Sequence, residues 1–196
     1  MGWDAVVYGT LSVPAKNLES WLAAETSPED FDGWPDFLNG SFSPRTVEVL
    51  LEELRQQQLE PHEFLELGLD GGDLTVRGMM AKDGMLDTRM ELATLFRSAS
   101  GFGGKGELVL FGYLTAQFGY RIKVERAKSS VKLMSQKEQD GFERSKPFKE
   151  IDAQVQAALD KLVGAPPRQT ARGKKGQGKG KWGVNPFTGK RIWVPT

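Results

Sequence analysis

Between Gly164 and Thr196 the chain carries Arg168, Arg172, Lys174, Lys175, Lys179, Lys181, Lys190 and Arg191 and no acidic residue. Positive charge at this density suits a polyanion, because each phosphate neutralised releases condensed counterions without any reading of base sequence. Trp182, Phe187 and Trp193 are interleaved with the last of these charges, and aromatic rings among cations can stack on exposed bases. The nominated nucleic-acid contacts are therefore Arg172, Lys174, Lys175, Lys179, Lys181, Trp182, Lys190, Arg191 and Trp193. A competing reading makes the same stretch a solubilising spacer before a hairpin that packs on its own domain. Membrane-surface binding is the weaker version of the charge argument, since no long basic amphipathic helix accompanies the patch.

The stretch Gly183–Pro195 reads GVNPFTGKRIWVP. Asn185-Pro186-Phe187-Thr188-Gly189 is a turn signature, with proline presetting φ and glycine permitting a left-handed residue. The segment resembles the DNA-embracing arm of HU-type nucleoid proteins, whose pattern is roughly G-x-N-P-x-T-G-x-x-I-x-[IV]-P. Gly183, Asn185, Pro186, Thr188, Gly189, Ile192, Val194 and Pro195 stand at matching places. The resemblance implies that Pro186 wedges between base steps while Lys190 and Arg191 contact phosphate, a minor-groove mode. It covers residues 183–195 only, without the family's helical dimerisation body, β-saddle or strand returning from the arm.

A second constellation has the opposite sign. Glu25, Glu29, Asp30, Asp32 and Asp36 surround Phe31, Trp34 and Phe37 in a Pro- and Gly-rich loop. Aromatics among acids make an interaction surface for a basic protein, which nominates Asp30, Phe31, Asp32, Trp34 and Asp36. That chemistry would suit an immunity or inhibitor protein or an assembly adaptor. The alternative is a solvated loop whose rings tuck onto the core.

Other motifs fail on spacing. In GFGGKGE (Gly101–Glu107), Gly104-Lys105 has Ala99 where a phosphate loop needs glycine and Gly106 where it needs Ser or Thr. A helix stop and turn is the simpler reading. His62 lies in a polar connector beside Glu60, Glu63 and Glu66, where a single imidazole reads as exposed. Asp70 and Asp73 flank Gly71-Gly72 without an EF-hand repeat. Glu52 and Glu53 are adjacent on a helix and so point apart rather than forming an acid–base couple.

The 196 residues (21.7 kDa) are 39% hydrophobic and 27% charged, enough for one cored domain with an appendage. The absence of cysteine removes disulfides, thiolate metal sites and cysteine nucleophiles, and one histidine removes His-rich zinc. No metal site and no cofactor are expected, and an enzyme would need a carboxylate-only site that the residues do not locate. The net charge of zero hides an asymmetry. Residues 1–100 hold 18 Asp and Glu against 7 Lys and Arg, whereas residues 101–196 hold 8 against 19. Such halves point to a polyanion partner for the basic end or to attraction between the ends. No apolar run approaches the ~20 residues of a membrane helix, and the first residues lack a basic stretch followed by an apolar one. A cytoplasmic protein without membrane insertion is the expectation.

The elements that must position these groups follow from periodicity. Ala5–Val13 reads as a strand ending at Pro14, and 15–25 as a short helix with Leu18, Trp21 and Leu22 on one side. Ser27-Pro28 and Ser43-Pro44 each match an N-cap followed by proline, the second opening a helix from Pro44 to Gln58 with Val47, Leu50, Leu51 and Leu54 inward. Glu63–Leu69 and Leu74–Ala81 form a hairpin about Asp70-Gly71-Gly72-Asp73. A helix over Asp87–Ser98 has Thr88 and Glu91 at capping-box spacing. Strands follow at Leu108–Leu114 and Tyr120–Ala127, continued by Val131–Met134, then a polar stretch and a helix over Phe148–Val163. On the strand Gly119–Ala127, Ile122 and Val124 face inward and Arg121, Lys123 and Glu125 outward.

The expected fold is α+β: an antiparallel sheet with helices on one face, a ferredoxin-like (split βαβ) core with additional strands and a helix. The expected division is a globular domain at 1–164, a flexible Gly/Lys-rich linker at 165–181 and an aromatic basic tip at 182–196. The expected function is non-enzymatic binding, of nucleic acid through the tail or of a basic protein through the acidic half.

Overall fold

The computed structural model describes residues 5–31, 42–59, 63–80, 85–112, 119–162, 180–184 and 191–195. The chain divides into two compact units, Met1–Gly164 and Ala165–Thr196. In the first, β1 (Ala5–Ser12) leads through α1 (Ala15–Leu22) to a two-residue ladder between β2 (Glu25–Thr26) and β3 (Arg45–Thr46), then to α2 (Val47–Gln56). The hairpin of β4 (Phe64–Asp70) and β5 (Asp73–Met80) precedes α3 (Met85–Ser98), and β6 (Lys105–Gly112), β7 (Gly119–Glu125) and β8 (Lys128–Leu133) precede α4 (Gln136–Glu143) and α5 (Lys146–Leu162). In the second unit β9 (Gly180–Val184) pairs antiparallel with β10 (Arg191–Pro195).

The fold is α+β, with one six-stranded antiparallel sheet in the order β4-β5-β1-β6-β7-β8. The chain from β1 to β4 passes over the place that β5 fills, and α3 carries it from β5 past β1 to β6. The β4–β5 turn holds Gly71 at φ 57° and Gly72 at φ 103°, the two positive values that a two-residue hairpin loop needs and that glycine adopts without strain.

Register gives the sheet two dissimilar faces. One face carries three rows across the strands: Leu65–Gly78–Val7–Leu110–Tyr120–Leu133, then Leu67–Val76–Gly9–Leu108–Ile122–Val131, then Leu69–Leu74–Leu11–Gly106–Val124–Ser129. Trp21 of α1, Leu50, Leu51 and Leu54 of α2 and Leu92, Leu95 and Phe96 of α3 pack on it, all buried. Gly9 is required there, because a Cβ would stand 2.6 Å from Cζ of Phe96. Ile122 and Val124 face inward as the alternation predicts.

Helices also cover the other face, which corrects the expectation of helices on one side. Val6, Met79 and Phe111 from the sheet meet Phe142 of α4 and Phe148, Ile151 and Val155 of α5 in a second core. Phe111, Phe142 and Phe148 form an aromatic trio with ring centroids 5.5–5.8 Å apart. The sequence conceals this layer because α4 is polar apart from Phe142, and the unbroken Ala5-Val6-Val7 is what a strand covered on both faces requires.

Two local expectations also change. The helix expected from Pro44 begins at Val47, capped by the Thr46 hydroxyl, which accepts from the Val49 N–H at 3.3 Å. Arg45 and Thr46 are held extended by pairing with Thr26 and Glu25, so the Ser43-Pro44 signal lies before the true start. Thr88 lies inside α3 rather than at a cap, and its buried hydroxyl accepts from Gln57 Nε2 at 2.5 Å. Ser27 does cap a turn over Pro28–Asp30.

Candidate nucleic-acid interface

Antiparallel pairing in the second unit sets Trp182 directly opposite Trp193, Val184 opposite Arg191, Lys181 opposite Val194, Gly183 opposite Ile192 and Gly180 opposite Pro195. Directly opposed residues of an antiparallel pair share a face, and the next pair along takes the other. Trp182, Trp193, Val184 and Arg191 thus occupy positions on one face of the ribbon, with Lys181, Val194 and Ile192 on the other. The nominated Arg172, Lys174, Lys175, Lys179, Pro186 and Lys190 lie outside the described residues. So does the HU-like turn at 185–190.

The acidic constellation is partly resolved into structural roles. Asp30 Oδ2 accepts the Ser27 N–H at 2.7 Å while Ser27 Oγ accepts from the Glu29 N–H at 3.4 Å, a reciprocal cap on the turn. The Phe31 ring lies under the guanidinium of Arg97, 4.7 Å from Cζ to centroid. Arg97 is 2% exposed, and its Nε donates to Ser129 Oγ on β8 at 3.0 Å. Asp32, Trp34 and Asp36 lie outside the described residues.

Buried cations such as Arg97 carried no sequence signal, since Arg89 and Arg97 interrupt the apolar pattern of α3 yet both are buried. Burial lowers the Arg89 pKa, opposed by nearby Tyr120, whose own pKa burial raises. Glu91 is likewise raised by burial, against the pull of Arg45, which bridges it to Glu53.

Beyond the apolar row under α4 and α5, the second sheet face opens. Its next rows read Glu66–Arg77–Tyr8–Val109–Arg121–Lys132 and Gly68–Thr75–Thr10–Glu107–Lys123–Ser130, followed by Asp70–Asp73–Ser12–Lys105 and the pair Glu125–Lys128. Tyr8 borders two open hollows, of about 710 Å³ toward β4 and about 390 Å³ toward α4. Many of the charges here are matched locally. Arg77 Nε meets Glu66 Oε2 at 2.5 Å, and Arg121 and Lys132 both approach Glu138. Burial would raise Glu66, but hydrogen bonds from Arg77 and Gln154 and the Arg77 charge outweigh it and leave its pKa lowered. Glu138 is held down at about 2, first by the Ser135 hydroxyl and N–H, with Lys132 and Arg121 adding to it.

Among the described residues no group of three or more His, Asp or Glu side chains could hold a metal ion, and no helix is long and apolar enough to cross a membrane. Comparison with protein-family models, curated proteins and solved structures finds no match to this chain.

Proposed function

We propose that this is a non-enzymatic binding protein whose basic, aromatic C-terminal unit contacts nucleic acid. The observation that carries the reading is the β9–β10 register, which sets two tryptophans opposite each other with Lys181 and Arg191 on the same short ribbon. Its supporting context is a unit with eight basic residues, from Arg168 to Arg191, and no acidic one. Phosphate neutralisation provides affinity, and the first unit serves as the folded body from which this segment extends in sequence.

The test is salt-dependent binding of the full chain. If four to six phosphates are neutralised on duplex DNA, log affinity should fall against log salt with a slope of about −4 to −5. A chain ending at Gly164 should lose the binding. No measurable affinity for DNA or RNA at low salt would overturn the proposal and leave recognition of a basic protein through Asp32, Trp34 and Asp36 as the next reading. Pro186→Ala reports on the HU-like arm separately, since a wedge residue bends DNA and a purely structural turn residue does not.

A further inference from the structure

We infer that the C-terminal unit binds single-stranded nucleic acid in preference to duplex, with Trp182 and Trp193 as its base-stacking pair. This rests on the nucleic-acid reading above and specifies its ligand. In an antiparallel pair, opposed residues have Cβ atoms about 4.5–5.5 Å apart, so the register makes the two tryptophan positions one adjoining site. The next pair on the same face is Val184 and Arg191, which sets a cation one step along the ribbon from the aromatic pair. Lys181 lies within β9, opposite Val194, and Lys190 precedes β10 in sequence.

The chemistry separates the two ligand forms. In a duplex the flat faces of the bases are occupied by their neighbours, leaving groove edges and phosphates for a protein to reach. Lysine and arginine suffice for that, and two opposed tryptophans add little. In a single strand the base faces are free. Stacking on aromatic side chains is then tolerant of sequence, and adjacent cations follow the backbone. The described part of the unit is a single two-stranded layer, and such a ribbon is marginal by itself. A pair of large aromatic positions on one of its faces is better explained by a stacking ligand than by a core within the ribbon.

The experiment measures anisotropy of a labelled oligo-dT and of a labelled mixed-sequence duplex of equal length, titrated with the full chain at one low salt concentration. The expected result is tighter binding of oligo-dT. Trp182→Ala combined with Trp193→Ala should weaken it about 10- to 100-fold and leave duplex binding nearly unchanged. Trp182→Phe with Trp193→Phe should restore most of the loss, which a merely structural role for the indole N–H would not allow. Arg191→Gln should weaken both ligands and reduce both salt slopes. Equal losses on the two ligands, or none in the alanine variant, would overturn the stacking inference while leaving nucleic-acid binding intact. No binding of either ligand by the wild-type chain would overturn both.

Discussion

The two faces of the six-stranded sheet are built from the same strands and end in different states. Under α1, α2 and α3 three rows are almost wholly apolar; on the side of α4 and α5 one row is apolar, the next is mixed about Tyr8 and buried Val109, and the rest are polar. The difference lies in helix supply. Three helices with continuous apolar stripes can close a face, whereas α4 contributes chiefly Phe142 and α5 places Phe148, Ile151 and Val155 over one end. Antiparallel sheets tolerate such an open face because each strand alternates between its two surroundings. Stability and accessible chemistry are thereby segregated to opposite sides of one sheet.

The largest effect expected from this contrast is on the closed face. Trp21 is fully buried and its Nε1 donates to Ser98 Oγ at 2.9 Å. Trp21→Ala should cost about 3–5 kcal/mol, the usual range for removing a large core aromatic, read from urea midpoints at constant m-value. A cost below about 1 kcal/mol would mean that the face can collapse around the void and is not close-packed.

On the partly covered face the corresponding probe is Phe142→Ala. Phe142 retains 8% exposure and leaves Phe111 and Phe148 in contact with each other at 5.8 Å. The loss should be smaller, about 2–3 kcal/mol, near the transfer value of the side chain. Circular dichroism and urea unfolding of the variant would show whether α4 and α5 detach together. A loss equal to that of Trp21→Ala would erase the distinction between the faces.

This asymmetry explains what the sequence disclosed. Strands facing one helical layer announced themselves, as Ile122 and Val124 did against Arg121, Lys123 and Glu125. The β4–β5 turn was legible because Gly71-Gly72 has one dominant use. Helix α4 was hidden, since SQKEQDGFERS offers one large apolar residue and its capping Ser135–Glu138 pair resembles any polar connector. The start of α2 was misplaced because the Glu25–Thr46 pairing is tertiary and overrides Ser43-Pro44. In the tail, alternation along one strand could not show what the register does, that Trp182 is the cross-strand partner of Trp193. The structural roles of Asp30 and Phe31 depend on Ser27 and Arg97, the latter 66 positions beyond Phe31, and no local pattern predicts that pairing.

A smaller effect separates two carboxylates by sign. Glu138 at the rim of the open face has its pKa held at about 2, below the ordinary 4.5. The unfolded chain therefore binds that proton more tightly, so the contribution to stability is present above 4.5 and lost as pH falls toward about 2. Glu91, near the closed face, is raised by burial despite Arg45, so its contribution declines as pH rises from 4.5 through its folded value. Glu138→Gln should flatten the acid side of the melting curve, and Glu91→Gln should steepen it. The same change of slope in both variants would contradict the opposed environments.

The smallest effect is expected in the open rows, and it tests the contrast most directly. Thr10 and Thr75 are adjacent, exposed residues in the row Gly68–Thr75–Thr10–Glu107. Thr75 Oγ1 makes a long 3.5 Å contact with the Gly68 carbonyl, too long to contribute much. Replacing either threonine with valine preserves shape and β-branching while removing a hydroxyl from solvent. The change should remain within about 0.5 kcal/mol, as for surface sites without special features. A loss above about 1 kcal/mol would place these hydroxyls against something that covers the row. Repeating the measurement in a chain ending at Gly164 would identify whether that cover comes from residues 165–196: the loss would disappear with the tail if so, and persist if the cover lies within the first unit. With no loss in either chain, the second face is open to solvent, and the closed face carries the greater share of the fold's stability.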